Sequence, residues 1–165
     1  MYYSENYKSP SILGTTMSAA APPDTQATLL KRLLSNNAIY ERLVETRNIV
    51  FDDQDNVIKI ANHCLMPDDD EAVSFDIKEL SQLPHLVSLS LSETKVYGDI
   101  MHLGKLRELV ELDLSHTSVR GDVAHFMELP ELIRCVLQET NVDGNLHTFH
   151  TYREAHTFKK CAIEL

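Results

Sequence analysis

The chain has 165 residues, 43% of them hydrophobic and 24% charged, enough for one ordinary core and too few for a large multidomain enzyme. Fifteen Lys and Arg against 25 Asp and Glu give a formal net charge of -10, which opposes nonspecific nucleic-acid binding and adhesion to an anionic membrane surface while suiting a basic partner. No apolar run approaches the roughly 18 to 20 residues of a membrane-spanning helix, and Cys64, Cys135 and Cys161 build neither a disulfide framework nor a paired metal-ligand spacing, which favours a reducing, intracellular compartment.

Residues 1–23, MYYSENYKSPSILGTTMSAAAPP, have no amphipathic period and end in small residues and prolines, so they read as a disordered or partner-bound tail. A charged start and a continuous apolar stretch are both missing, which argues against a secretory signal. Residues 24–56 follow as an N-terminal unit. Leu29, Leu30, Leu33, Leu34, Ile39, Leu43 and Val44 recur at helical spacing, with Asp24 or Thr25 as N-cap and a break near Asn36-Asn37. Val50-Phe51 and Val57-Ile58 flank the turn-rich Asp52-Asp53-Gln54-Asp55-Asn56, the pattern of a hairpin.

From Leu80 the chain repeats at a shift of 23 residues. Five apolar slots recur as Leu80, Leu83, Leu86, Leu89, Leu91, then Leu103, Leu106, Leu109, Leu112, Leu114, then Phe126, Leu129, Leu132, Cys135, Leu137. At the background frequency of apolar residues, filling every slot has a chance of about three in a million. Thr94, Thr117 and Thr140 coincide, as do Val96, Val119, Val142 and Gly98, Gly121, Gly144. The closing L-x-L of each set has period two and predicts a short strand with its leucines inward. The Thr hydroxyl is suited to backbone groups left unpaired at the corner, the glycine to a left-handed or cramped turn, and L-x-x-L-x-x-L to a helical or 3₁₀ return.

These residues resemble the leucine-rich repeat family, whose pattern L-x-x-L-x-x-L-x-L-x-x-N-x-L appears with Thr replacing the usual Asn. Gly98-Asp99-Ile100 and Gly121-Asp122-Val123 are similar to the plant-type subclass, and the preceding helix and hairpin to its N-terminal cap. The resemblance implies an α/β solenoid over residues 57–165, with about four to five repeats, the last partial, parallel strands on the concave face and an N-terminal helical cap. On this reading Ile58-Lys59-Ile60 is the first L-x-L, eight extra residues fall in the loop around Asp68, Asp69, Asp70 and Glu71, and Tyr152, Ala155, Phe158, Cys161 and Ile163 restore the five slots after three added residues.

Stacked strands present outward columns for binding. One reads Lys59, Ser90, Asp113, Val136, Ala162; its neighbours contain Ser88, Glu111 and Arg134, and Gln138. Mixed charge and small hydroxyls suit a polar protein or peptide partner. Val87, Val110 and Ile133 read either as an apolar contact stripe or as half-buried packing. Residues 52–79 carry nine acidic residues against Lys59 and Lys78, a surface for a basic partner or a solvated loop; the spacing of an EF-hand is missing. The eight histidines, with His102 and His125 in one slot and His147-x-x-His150, complete no zinc pattern, and no nucleophile is paired with a base. The expectation is therefore a non-catalytic interaction module without cofactor or metal, an adaptor or subunit of a larger assembly; a ligand-sensing receptor-type fragment is the alternative.

Overall fold

A computed structural model describes residues 25–34, 37–61 and 73–165 of the chain. Thr25 caps helix α1 (Gln26–Leu33) by accepting the Thr28 N–H, and Leu29, Leu30 and Leu33 turn inward. Helix α2 (Asn37–Glu45) buries Ile39, Tyr40 and Leu43 against the same core. Strands β1 (Ile49–Phe51) and β2 (Val57–Ala61) form the antiparallel hairpin. Its turn is closed by Asp52, whose Oδ1 accepts the Gln54 and Asn56 N–H groups at 2.8 Å each. Gln26 fastens α1 to this hairpin, its Oε1 accepting the Val57 N–H at 2.6 Å.

Three turns of the solenoid follow. Strands β3 (Ser88–Ser90), β5 (Glu111–Asp113) and β7 (Arg134–Val136) pair in parallel, and β9 (Ala162–Glu164) completes a six-stranded sheet in the order β1-β2-β3-β5-β7-β9. Between the strands run 3₁₀ segments Ile77–Gln82, Ile100–Lys105 and Val123–Phe126. Leu89, Leu112 and Cys135 occupy one inward rung, and the leading slots from Leu80 to Leu132 are fully buried, so the leucines form one core running along the array.

Each corner threonine closes its own turn. Thr94, Thr117 and Thr140 donate to the carbonyls of Leu91, Leu114 and Leu137 at 2.7, 2.7 and 2.6 Å, and Thr94 and Thr140 also accept the N–H two residues on. A hydroxyl that donates backward and accepts forward thus holds the corner. One residue before it, Glu93, His116 and Glu139 adopt positive φ (60°, 55° and 53°), a recurrence without glycine that the sequence pattern did not expose. Beyond the corner lies a second parallel sheet, β4 (Tyr97–Asp99), β6 (Ser118–Asp122) and β8 (Asn141–Asp143), where the sequence reading expected only turns.

The flanking repeats depart from the expected register. Ile60, not Ile58, pairs with Leu89, so Lys59 stands beside Ser88 and the first insertion is six residues long instead of eight. Ile58 and Ile60 share a parity, so alternation alone does not separate them. The bulged pairing of β1 with β2, which sets Ile49 opposite Ile60, does. At the other end Ile163, not Cys161, pairs with Cys135, and Ala162 stands beside Arg134. Helix α3 (Leu146–Ala155) is the reason: it buries Phe149 and Arg153, four residues apart, in place of the three-residue spacing of Tyr152, Ala155 and Phe158.

Arg153 is 2% exposed and was absent from every sequence expectation. Its Nη1 donates to the Leu129 carbonyl at 2.5 Å, its Nη2 to those of Leu132 and Lys159 at 2.8 Å each. Phe149 and Phe158 lie with ring centroids 5.5 and 5.6 Å from the guanidinium carbon. The planar fork gathers loop carbonyls that face inward where the last regular repeat ends.

Candidate functional site

Inward leucines leave the alternate residues of the six-stranded sheet on its other face. The register sets Lys59, Ser88, Glu111, Arg134 and Ala162 in one row across the strands, and Ala61, Ser90, Asp113, Val136 and Glu164 in the next. Lys59, Ser88, Ser90, Glu111, Asp113 and Arg134 together line a depression on this face, with Leu89 and Leu112 at its floor. The structure thus brings together six of the eight residues singled out from the sequence. Val136 is 6% exposed, so it does not offer the contact surface expected of it; its short side chain stands between the Asp113 and Glu164 rungs. Gln138 is exposed two residues beyond β7, where its carbonyl accepts the His116 N–H at 2.9 Å. Asp68, Asp69, Asp70 and Glu71 lie outside the described residues.

Hydrogen bonding divides the polar groups of the depression into committed and free. Asp113 Oδ1 accepts both the N–H (3.1 Å) and the Oγ–H (2.7 Å) of Ser115, which pins the carboxylate at the end of its strand. Among the described residues the Glu111 carboxylate accepts only a long bond of 3.5 Å from Ser88 Oγ. Among the described residues, Lys59 and Arg134 make no ion pair, although Arg134 stands one strand from Glu111. The Ser90 hydroxyl is buried with no hydrogen-bond partner among the described residues, an expensive state for a polar atom. Opposite charges in one row that do not neutralise each other leave their interactions for something laid over the sheet.

The aliphatic stripe runs beside this row. Val87 N–H donates to Ile58, Val110 to Val87 and Ile133 to Val110, so Ile58, Val87, Val110 and Ile133 follow one another across the strand starts. The first three are half-buried and Ile133 is 41% exposed. Both readings of the sequence therefore have a share: packing for three, exposed surface for Ile133.

The histidines do not gather. Among the described residues no group of three or more His, Cys, Asp and Glu is placed to hold a metal ion, and no helix is long and apolar enough to cross a membrane. His85 Nδ1 meets Glu108 Oε1 at 3.0 Å on the surface, an ordinary exposed contact between adjacent repeats. Cys135 and Cys161 are buried, and burial raises both thiols, that of Cys161 to about 11. Neither is a nucleophile near neutral pH.

No protein-family model matches the chain, and no curated protein matches it. Solved structures do. Internalin C2 from Listeria monocytogenes is 25% identical over 41% of this chain and 29% of its own, with a TM-score of 0.36. Internalin InlF from the same organism is 18% identical over 78% of this chain and 35% of its own, with a TM-score of 0.43. The crystal structure of PEPR1–AtPEP1 is 17% identical over 86% of this chain and 24% of its own, with a TM-score of 0.53. The chain therefore spans between about a quarter and a third of the length of these proteins. The PEPR1 superposition shows the fold: stacked 23-residue units, parallel strands on one side and 3₁₀ returns on the other make this a leucine-rich-repeat solenoid.

Proposed function

We propose that this leucine-rich-repeat solenoid is a non-catalytic protein-interaction module, an intracellular adaptor or subunit of a larger assembly, which takes its partner on the open face of the six-stranded sheet. The observation that carries the reading is the row Lys59, Ser88, Glu111, Arg134, in which charges of both signs stand in register without an ion pair among the described residues. Charged groups that a protein does not use internally give specificity and rate when a complementary surface meets them. In this reading α1, α2 and the β1-β2 hairpin serve as the cap of the array, since their apolar residues share one core with the first repeat. The acidic stretch from Asp52 to Glu79 adds a place for a basic segment of the same partner.

The test is capture of partners from the native source, read by mass spectrometry, with the wild-type chain and with a Glu111→Lys, Asp113→Asn, Arg134→Glu variant. Asn at 113 keeps an acceptor for Ser115, so the fold is spared. Loss of the partner with an unchanged melting curve is the expected result; a partner retained by the variant places the binding surface elsewhere.

A further inference from the structure

The charged row has a spacing as well as a sign. Neighbouring strands lie about 4.8 Å apart, so Lys59 and Glu111, two strands apart in the row, are separated by about 9.6 Å at the backbone. A polyproline-type chain advances about 3.1 Å per residue with three residues per turn, so every third side chain returns to one side after about 9.3 Å. A β-strand does not do this, because its residues three apart point to opposite sides. An α-helix needs about seven residues to cover the same distance.

We infer that the occupant of the sheet face is an extended peptide segment of polyproline type, lying across the strands and carrying an acidic and a basic residue three positions apart. The acidic residue meets Lys59 and the basic one Glu111, both free of ion pairs among the described residues. The intervening prolines or aliphatics lie toward the adjoining lane of Ile58, Val87 and Val110. This form of segment also suits the small side chains between the charges. Ser88 stands in the row between Lys59 and Glu111, with Ser90 beside it in the depression, and neither rises to block a chain lying flat. Because such a segment is already extended before it binds, little ordering entropy opposes its docking. The inference rests on the sheet face being the binding surface, as proposed above.

The experiment is selection of random twelve-residue peptides displayed on phage, against the wild-type chain and against Lys59→Glu in parallel. Wild type is expected to enrich proline-containing peptides with an acid and a base three apart. Their affinity for Lys59→Glu should be about ten-fold weaker, as expected when exposed charge contacts turn from attractive to repulsive. Lys59→Glu should instead enrich two bases at the same spacing. Enrichment of peptides without that spacing, equal binding to both proteins, or no enrichment at all overturns the inference. Failure here is distinguishable from failure of the capture experiment, since a folded partner lost on the triple substitution keeps the sheet face as the site even when no extended peptide is selected.

Discussion

The carboxylate of Asp99 fills the space that a side chain on Gly121 would need. A Cβ built on Gly121, whose φ is +132°, would stand 2.9 Å from Asp99 Oδ1 and 2.9 Å from Ile100 Cγ1. Asp99 is not idle there: its Oδ1 accepts the Met101 N–H at 2.9 Å and caps the 3₁₀ segment of its own repeat. The arrangement recurs, with Asp76 against Gly98 and Asp122 against Gly144. Each aspartate therefore caps one repeat and seats against the glycine of the next.

Gly121→Val follows directly. The substitution forces a β-branched residue into a left-handed backbone and a clash with two fixed atoms, so stability should fall by about 1 kcal/mol or more. Urea unfolding checks it. Combining it with Asp99→Ala should recover part of the loss by vacating the space; equal losses with and without Asp99 would leave the strain to φ and the Ile100 contact instead of the carboxylate.

How much of this was legible beforehand depended on whether the signal was local. The fifteen leucine slots, the strands at Leu89, Leu112 and Cys135, and the positive φ of Gly98, Gly121 and Gly144 follow from period and residue type. The partnership of Asp99 with Gly121 does not, because the sequence sets Asp99 beside Gly98, the glycine of its own repeat, while packing joins it to that of the next. The rows of the sheet face were legible in the three regular repeats and shifted by two residues at Lys59 and Ala162, where a hairpin bulge and an α-helix replace the repeat spacing. The buried Arg153 was hidden because an arginine at helical spacing ordinarily reads as surface.

The Asp52 turn makes stability depend on pH. Hydrogen bonds from the Asn56 side chain and backbone hold the Asp52 carboxyl below its ordinary range. A carboxylate that binds its proton less tightly when folded stabilises the fold fully above its unfolded pKa of about 4, and loses that contribution as pH falls through the lower folded value. Asp52→Asn keeps an acceptor but cannot titrate. The loss of stability between pH 6 and pH 2.5, measured by urea midpoints, should be smaller in the variant; an undiminished loss would assign the acid sensitivity to other carboxylates.

The two buried thiols should be silent in the native state. With burial pushing Cys161 up to about 11 and Cys135 further, almost no thiolate exists at pH 8, and access is closed as well. In a Cys64→Ser background, Ellman's reagent should react with two thiols only after unfolding, at a rate set by opening of the chain. Stoichiometric reaction within seconds on the folded protein would show that the C-terminal end of the core is open.

Arg153 is the test of what ends the regular stack. Its guanidinium donates to the carbonyls of Leu129 and Leu132 in buried contacts and to that of Lys159 in a partly buried one. Burial draws its pKa down from the ordinary arginine value, yet an arginine has so much range in hand that it stays charged. Arg153→Met would fill the space with apolar atoms and strand those carbonyls, at a cost of about 2 kcal/mol or more. Arg153→Lys should recover little, since one ammonium cannot span acceptors arranged for a planar fork. Arg120→Met, on an exposed residue of β6, serves as the control and should lie within about 0.5 kcal/mol of wild type. A Lys variant as stable as wild type would show that charge alone, and not the fork geometry, holds α3 against the last repeat.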